Sequence, residues 1–157
     1  MTWAVGRDKV SELLTSGELD TVPTDLNLAG RLLAEAAKHV GSARRAQEHG
    51  DLTGAYQLAY DALRKAAAAL LAAQGLRATS RGGHIAIQDT VSAQFGGPGS
   101  PFKSFGRIRR NRNRFEYPDS DTVAAHHEDV DDALSVADAA VLAVEQLLGS
   151  GQVDSWV

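Results

Sequence analysis

The chain has 157 residues, 43% of them apolar and 23% charged, with a formal net charge of -4 at pH 7. That length suffices for one domain whose core needs no staples. The absence of cysteine excludes a disulfide framework, thiol catalysis and thiolate-held zinc. The net negative charge speaks against a nucleic-acid coat over the whole surface and leaves room for a local basic patch.

Aromatic residues make up only 6%, and alanine and leucine dominate the apolar set, which favours helices over sheets. The opening residues, MTWAVGRDKV, lack the basic-then-apolar layout of a signal peptide. No apolar run approaches a membrane span. The expectation is a cytoplasmic protein without membrane contact.

Residues 1 to 23 read as a short accessory helix and a loop, with Val10, Leu13 and Leu14 on its apolar face and Gly17 as its stop. Trp3 lies off that face and is expected to pack on the main body or on a partner subunit. Thr24-Asp25 signals a helix start. That helix is expected to run to about His49, burying Leu26, Leu33, Ala36, Ala37 and Val40, with Gly41-Ser42 as a weak point. Asp51 to Gln74 carries the clearest helical pattern: Leu52, Ala55, Ala59, Ala62, Leu63, Ala66, Leu70 and Ala73 form one stripe. Tyr56 and Tyr60 flank it. Asp61 lies beside it, either solvated or facing an arginine from another helix. Gly75 closes the helix.

Residues 76 to 83, LRATSRGG, read as a polar loop. A short helix from His84 to Phe95 follows, with Ile85, Val91 and Phe95 toward the core. The run GGPGSP then breaks the chain. The next segment, Phe102 to Tyr117, is arginine-rich and stops before Pro118, which disfavours helical geometry at Tyr117. The last helix is expected over Thr122 to Leu148, with Val123, His127, Val130, Leu134, Ala137, Val141, Val144 and Leu148 on its stripe. Its early Glu128, Asp129, Asp131 and Asp132 suit the helix dipole and could also face the arginines. The tail from Gly149 reads as loose. With no convincing strand, the expected architecture is all-α. It is an antiparallel up-and-down bundle of four to five core helices, forming a single domain over 1–157 with its core at about 25–148.

The arginine segment is the unusual one. On a wheel of about 100° per residue, Phe102, Phe105, Ile108 and Phe115 share one face. Lys103, Arg107, Arg110 and Arg114 share the opposite one. Arg112 projects from the middle of the apolar face, and Asn113 sits at its edge. An arginine inside an apolar stripe is costly unless it is paired or opens into a polar cleft. Two readings stay open at this stage: a buried ion pair with a carboxylate on a neighbouring helix, or a functional site. The basic back face also reads as an ordinary solvated surface.

Other chemistry is missing. There is no phosphate loop, no GxGxxG, no HExxH and no recognition-type helix-turn-helix. The adjacent His126 and His127 point about 100° apart on a helix and cannot share one metal in the i, i+4 manner. His39, His49 and His84 read as packed or capping residues. No metal and no cofactor is expected.

The segment Arg112-Asn113-Arg114-Phe115-Glu116-Tyr117, together with the alanine-rich helix around Tyr60-Asp61-Ala62-Leu63-Arg64-Lys65-Ala66-Ala67, resembles the HEPN superfamily. It looks nearest to an actinobacterial group of stand-alone members. The family hallmark is an arginine, usually followed by asparagine or another polar residue, with a histidine several residues on, near the end of a late helix. Here Tyr117 stands where that histidine would be. The resemblance covers roughly Leu26 to Leu148. It implies a bundle that dimerises through the motif helices, here the segment 102–118. It also implies metal-independent cleavage of RNA in a shared cleft, often by toxins paired with a nucleotidyltransferase-type antitoxin; other members only bind or scaffold.

On that resemblance Arg112, Asn113 and Tyr117 are the candidate catalytic residues, with Arg109, Arg110 and Arg114 as candidate RNA-binding residues. Arg112 would stabilise the phosphorane, Asn113 would orient phosphate or ribose, and Tyr117 would donate a proton or stack on a base. In toxin members a tyrosine near the motif can be modified with AMP by the antitoxin, and Tyr117 is the residue so placed. Three readings follow: a HEPN-type endoribonuclease acting as a homodimer; a non-catalytic HEPN module that binds a nucleotide, RNA or partner protein; and a structural helical dimer with Arg112 paired to Asp61 or Glu35.

Overall fold

A computed structural model describes residues 4–156. Its order is α1 (Arg7–Thr15), β1 (Leu19–Thr21), α2 (Leu26–Glu48), α3 (Leu52–Gln74), β2 (Leu76–Ala78), α4 (Gly83–Phe95), a 3-10 turn (Pro101–Ser104), α5 (Phe105–Glu116) and α6 (His127–Gly149). Trp3 falls outside the described residues.

The alanine stripe makes α3 the central helix. Ala55, Ala59, Ala62, Ala66, Ala67 and Ala69 are all fully buried. Methyl side chains let neighbouring axes approach closely, and α3 packs against α2, α4, α5 and α6. Asp51 caps its start by accepting from the Gly54 amide at 2.9 Å. Gly75, at φ 75°, ends it in the left-handed conformation.

The bundle that the sequence predicts is present. The turn at Gly50 reverses the chain between α2 and α3. Arg44 bonds Asp138 and Gln47 bonds Asp131, a descending register that sets α6 antiparallel to α2. Tyr56 meets Phe115 and Tyr60 meets Phe105, which sets α5 antiparallel to α3. By contrast α4 runs alongside α3 in the same direction, since Tyr60 meets His84 and Gln74 meets Gln94.

Several local expectations change. The stretch read as a polar loop contributes β2, which pairs antiparallel with β1, Leu19 opposite Ala78. The arginine segment divides: Pro101–Ser104 is a 3-10 turn whose Ser100 hydroxyl accepts from the Phe102 amide, and α5 starts only at Phe105. The last helix starts at His127, not Thr122. Asp119 folds residues 119 to 122 into a turn by accepting from the Thr122 hydroxyl and the Asp121 amide. His126 then forms a capping box with Asp129. Val123 and His127 are therefore exposed rather than on the buried stripe. Leu26, Ala37 and Ile85 also face solvent. Tyr56 and Tyr60, read as flanking the core, are inside it. Gly41-Ser42 does not interrupt α2.

The tail is not loose. The Trp156 amide donates to the Gln74 carbonyl at 2.8 Å, and the Arg7 guanidinium lies 4.4 Å from the Trp156 ring centre. Below it, Gln74 is buried and exchanges amide hydrogen bonds with Gln94 at 2.5 and 3.2 Å. The tail thus closes over the joint between the ends of α3 and α4 and the start of α1. Trp156→Ala is expected to destabilise the fold by about 1–3 kcal/mol, read as a lowered urea midpoint with an unchanged slope.

Candidate functional site

One polar face of α3 carries Gln57, Tyr60, Asp61 and Arg64, residues three or four apart and hence neighbours along the helix. Both α4 and α5 lean on that face. The start of α4 is brought there by Gly82 and Gly83. A β-carbon at Gly82 would collide with the Glu18 carbonyl oxygen, and Gly83 sits at φ 54°. The Gly82 amide is held by the Thr79 hydroxyl at 3.2 Å, and that hydroxyl in turn donates to the Gly17 carbonyl at 2.7 Å. This joint aims His84 at Tyr60: the phenol oxygen lies 3.1 Å from Nδ1.

From α5, Arg112 reaches back to α3. Its Nε donates to Gln57 Oε1 at 2.5 Å and its Nη1 to Asn113 Oδ1 at 3.0 Å. The guanidinium carbon lies 5.7 Å from the Tyr60 ring centre and 5.9 Å from that of Tyr117, inside cation–π range on both. Gln57 turns its amide the other way toward Asp61, donating to Oδ2 at 3.3 Å. Asp61 Oδ1 faces Arg64 Nη2 at 3.5 Å. The expected carboxylate partners are thus engaged elsewhere: Asp61 with Arg64 of its own helix, Glu35 with Lys65 at 2.8 Å. Among the described residues Arg112 forms no salt bridge. It is oriented by amides and half-buried, with its charge not neutralised.

The electrostatics follow. Burial raises the Tyr60 phenol above its ordinary value, against the opposing pull of Arg64, Arg109 and Arg112. Burial lowers His84, and Arg64 and Arg112 lower it further, with Asp61 opposing. Both groups are held neutral near pH 7. A second network lies along α3: Lys65 Nζ bridges Glu35 and His39 Nε2, the latter at 2.9 Å. Burial and then Lys65 lower His39.

The sequence-derived candidates divide among different surroundings. Arg112, Asn113 and Tyr117 come together, with Tyr117 ending α5 and 73% exposed. Arg109 joins them from the α4 side, its Nε donating to Gln88 Oε1 at 2.7 Å. Arg110 is exposed. Arg114 turns to another hollow of about 190 Å³, lined by Phe115, Val123, His126 and Asp129. Arg107 is neutralised by Asp132 of α6, so the acidic start of that helix does face part of the basic surface. Sequence reasoning missed Gln57, Arg64, His84 and Gln88. The i, i+4, i+7 spacing of Gln57, Asp61 and Arg64 was the available signal for α3. Nothing local marks His84 except the preceding Gly-Gly.

Compared with protein-family models, residues 29–147 match the HEPN domain. That span includes every side chain of the cluster. No curated protein and no solved structure matches the chain.

Two outcomes are expected of the cluster as it stands. The His84 ring, followed by NMR, titrates below 6.5 and moves up in Arg112→Gln, because one of the cations depressing it is gone. The folded value lies below the unfolded one, so the unfolded chain takes up the proton first. The stability contributed by the neutral ring is therefore complete above 6.5 and declines as the pH falls from there through the lowered folded value. His84→Gln should flatten that decline.

Proposed function

Because the chain belongs to the HEPN domain family, we propose that it is an RNA-binding protein that cuts its substrate as a metal-independent endoribonuclease, acting as a homodimer paired through the segment 102–118. The observation that carries this reading is the state of Arg112. Of the five N–H donors of a guanidinium, one goes to Gln57 and one to Asn113, which leaves three for a ligand. An oriented, partly dry, unneutralised guanidinium is what a phosphodiester needs. It offers bidentate charged donors, and they strengthen as charge develops at phosphorus.

The neighbours take complementary tasks. Asn113 is exposed beside Arg112 and orients the phosphate or the ribose. Tyr117 presents an exposed phenol next to the guanidinium, placed to stack on a base or to give a proton to the leaving oxygen. Arg109 adds a second cation on the same side, and Arg110 and Arg114 extend the positive charge along the rim of the shared cleft. The outward side of α5, with Arg110, Asn113, Arg114 and Tyr117 exposed, is the surface offered to a second copy, which would set two Arg112 sites on one cleft. The toxin role belongs to the same proposal: a nucleotidyltransferase-type antitoxin would silence the site by placing AMP on the Tyr117 oxygen.

One observation favours a second reading. The α5 helix carries no histidine, and a phenol with an ordinary pKa of about 10 is a weak base near neutrality. A module that binds RNA or a nucleotide without cutting it would need only Arg112 and its surroundings. The third reading, a structural ion pair with Asp61 or Glu35, loses its partners to Arg64 and Lys65.

Incubation of the purified protein with mixed RNA in the presence of a chelator separates these. Cleavage is expected for the wild type. Arg112→Ala should lower the rate about 100-fold or more, with the dimer intact by light scattering. Gln57→Glu should keep the fold while weakening RNA binding about tenfold, since a carboxylate there would neutralise Arg112. RNA bound but left whole favours the module; RNA neither bound nor cut overturns both.

A further inference from the structure

The cleavage reading leaves a proton unaccounted for at the attacking oxygen, and the fold places one imidazole beside Arg112. We infer that His84, on α4, is the group that accepts the proton of the ribose 2′-hydroxyl, and that Tyr60 is its positioning residue; this rests on the ribonuclease reading above.

The geometry carries the case. Tyr60 is fully buried, wedged edge-on against Phe105, and its phenol oxygen lies 3.1 Å from His84 Nδ1. The same Tyr60 ring lies 5.7 Å from the Arg112 guanidinium. One fixed side chain therefore registers the imidazole against the arginine. In the tautomer the inference assigns, Nδ1–H donates to the Tyr60 oxygen and the lone pair on Nε2 is left for a ligand; that nitrogen has no protein partner among the described residues. The charged and titratable groups acting on His84 are Arg64, Asp61 and Tyr60 from α3 and Arg109 and Arg112 from α5. Burial, and after it the arginines that outnumber the carboxylate, keep the ring unprotonated, the form a base requires. Burial of the phenol keeps Tyr60 neutral, so it holds the ring without surrendering its proton.

The step balances without any co-reactant. The 2′-oxygen gives its proton to His84 Nε2 and forms a bond to the adjacent phosphorus. The bond from phosphorus to the 5′-oxygen breaks. The departing oxygen takes a proton from Tyr117 or from water, and His84 later returns its own to solvent or to the Tyr117 phenolate. The products are a 2′,3′-cyclic phosphate and a 5′-hydroxyl end. Arg112 meets the charge on the non-bridging oxygens throughout.

The test is a pH–rate profile on RNA for the wild type, Arg112→Ala, His84→Ala, His84→Gln and Tyr60→Phe. It is paired with binding of an all-2′-deoxy strand of the same sequence, which cannot be cut by this route. For the wild type, kcat/KM should rise with unit slope at low pH and level off below 6.5. His84→Ala and His84→Gln should lose about 100-fold or more in kcat and lose that limb, while binding the deoxy strand within about threefold of the wild type. Added imidazole should restore part of the His84→Ala rate. Tyr60→Phe, which keeps the ring and removes the hydroxyl, should shift the limb and lower kcat with KM unchanged.

Cleavage by the wild type that Arg112→Ala abolishes but His84→Gln leaves intact, with the same pH profile, overturns this inference alone. Wild-type protein that leaves RNA whole overturns the ribonuclease reading and the inference with it. If the His84 variants fail to fold, the wild-type profile decides: a missing acid limb counts against His84.

Discussion

An amide, not a carboxylate, fixes Arg112, and the character of the site follows from that substitution of chemistry. A carboxylate at about 4 Å would interact with the guanidinium by about 4 kcal/mol at an effective dielectric constant of 20. Any incoming anion would have to displace it. Gln57 supplies direction without that competition. Its oxygen takes the Nε proton at 2.5 Å, and its nitrogen is spent on Asp61 at 3.3 Å. Asp61 thus sets the orientation of the amide while its charge is met by Arg64. The carboxylate that the sequence suggested as the direct partner of Arg112 instead acts one residue removed, as the anchor of the group that holds it.

Holding an unneutralised arginine in place requires that the helix carrying it cannot rotate or slide. Phe105 lies edge-on to Tyr60 and Phe115 edge-on to Tyr56, with ring centres 6.2 and 5.0 Å apart. These contacts bracket Arg112 along α5 and are each worth a modest increment beyond burial. On its other side α5 is tied to α6 by Arg107 and Asp132. The alanine-lined half of α3 does the remaining positioning. Without bulky side chains, α2 and α6 can close on it, which leaves its glutamine and tyrosine positions to face α4 and α5.

Much of this was legible in the chain and some of it was not, for identifiable reasons. The α3 stripe, the Gly75 stop and the Asp51 cap are local patterns, and each appears where the spacing places it. Arg112 could be singled out because a helical wheel exposes a charge on an apolar face. The start of α6 could not be read, because a histidine cap closed by Asp129 lies outside the usual capping residues and the Asp119 turn consumes residues that look helical. Strands of three residues leave no usable alternation. The docked tail depends on a backbone hydrogen bond to Gln74 and a ring stacked on Arg7, neither of which leaves a periodic trace. Least legible was the cluster itself. Gln57, His84 and Arg112 are separated by 27 residues or more and come from three helices, one of which runs parallel to its neighbour against the alternation the rest of the bundle follows.

That parallel helix bears on how an imidazole can be held near an arginine when the helix carrying the arginine has no histidine. When arginine and histidine share a helix, their separation is set by the rise and twist of the backbone and is insensitive to packing. When they lie on different helices, the separation depends on whatever fixes the helices to each other. In this chain two constraints do so. Gly82 and Gly83 seat the first turn of α4 against the Glu18 carbonyl, and the aromatic contacts seat α5 on α3. Both converge on Tyr60, whose hydroxyl meets the imidazole and whose ring meets the guanidinium. A rigid, buried residue between the two groups substitutes for the helical spacing. Tyr117, at the exposed end of α5, stands on the other side of the guanidinium and takes no part in holding the imidazole.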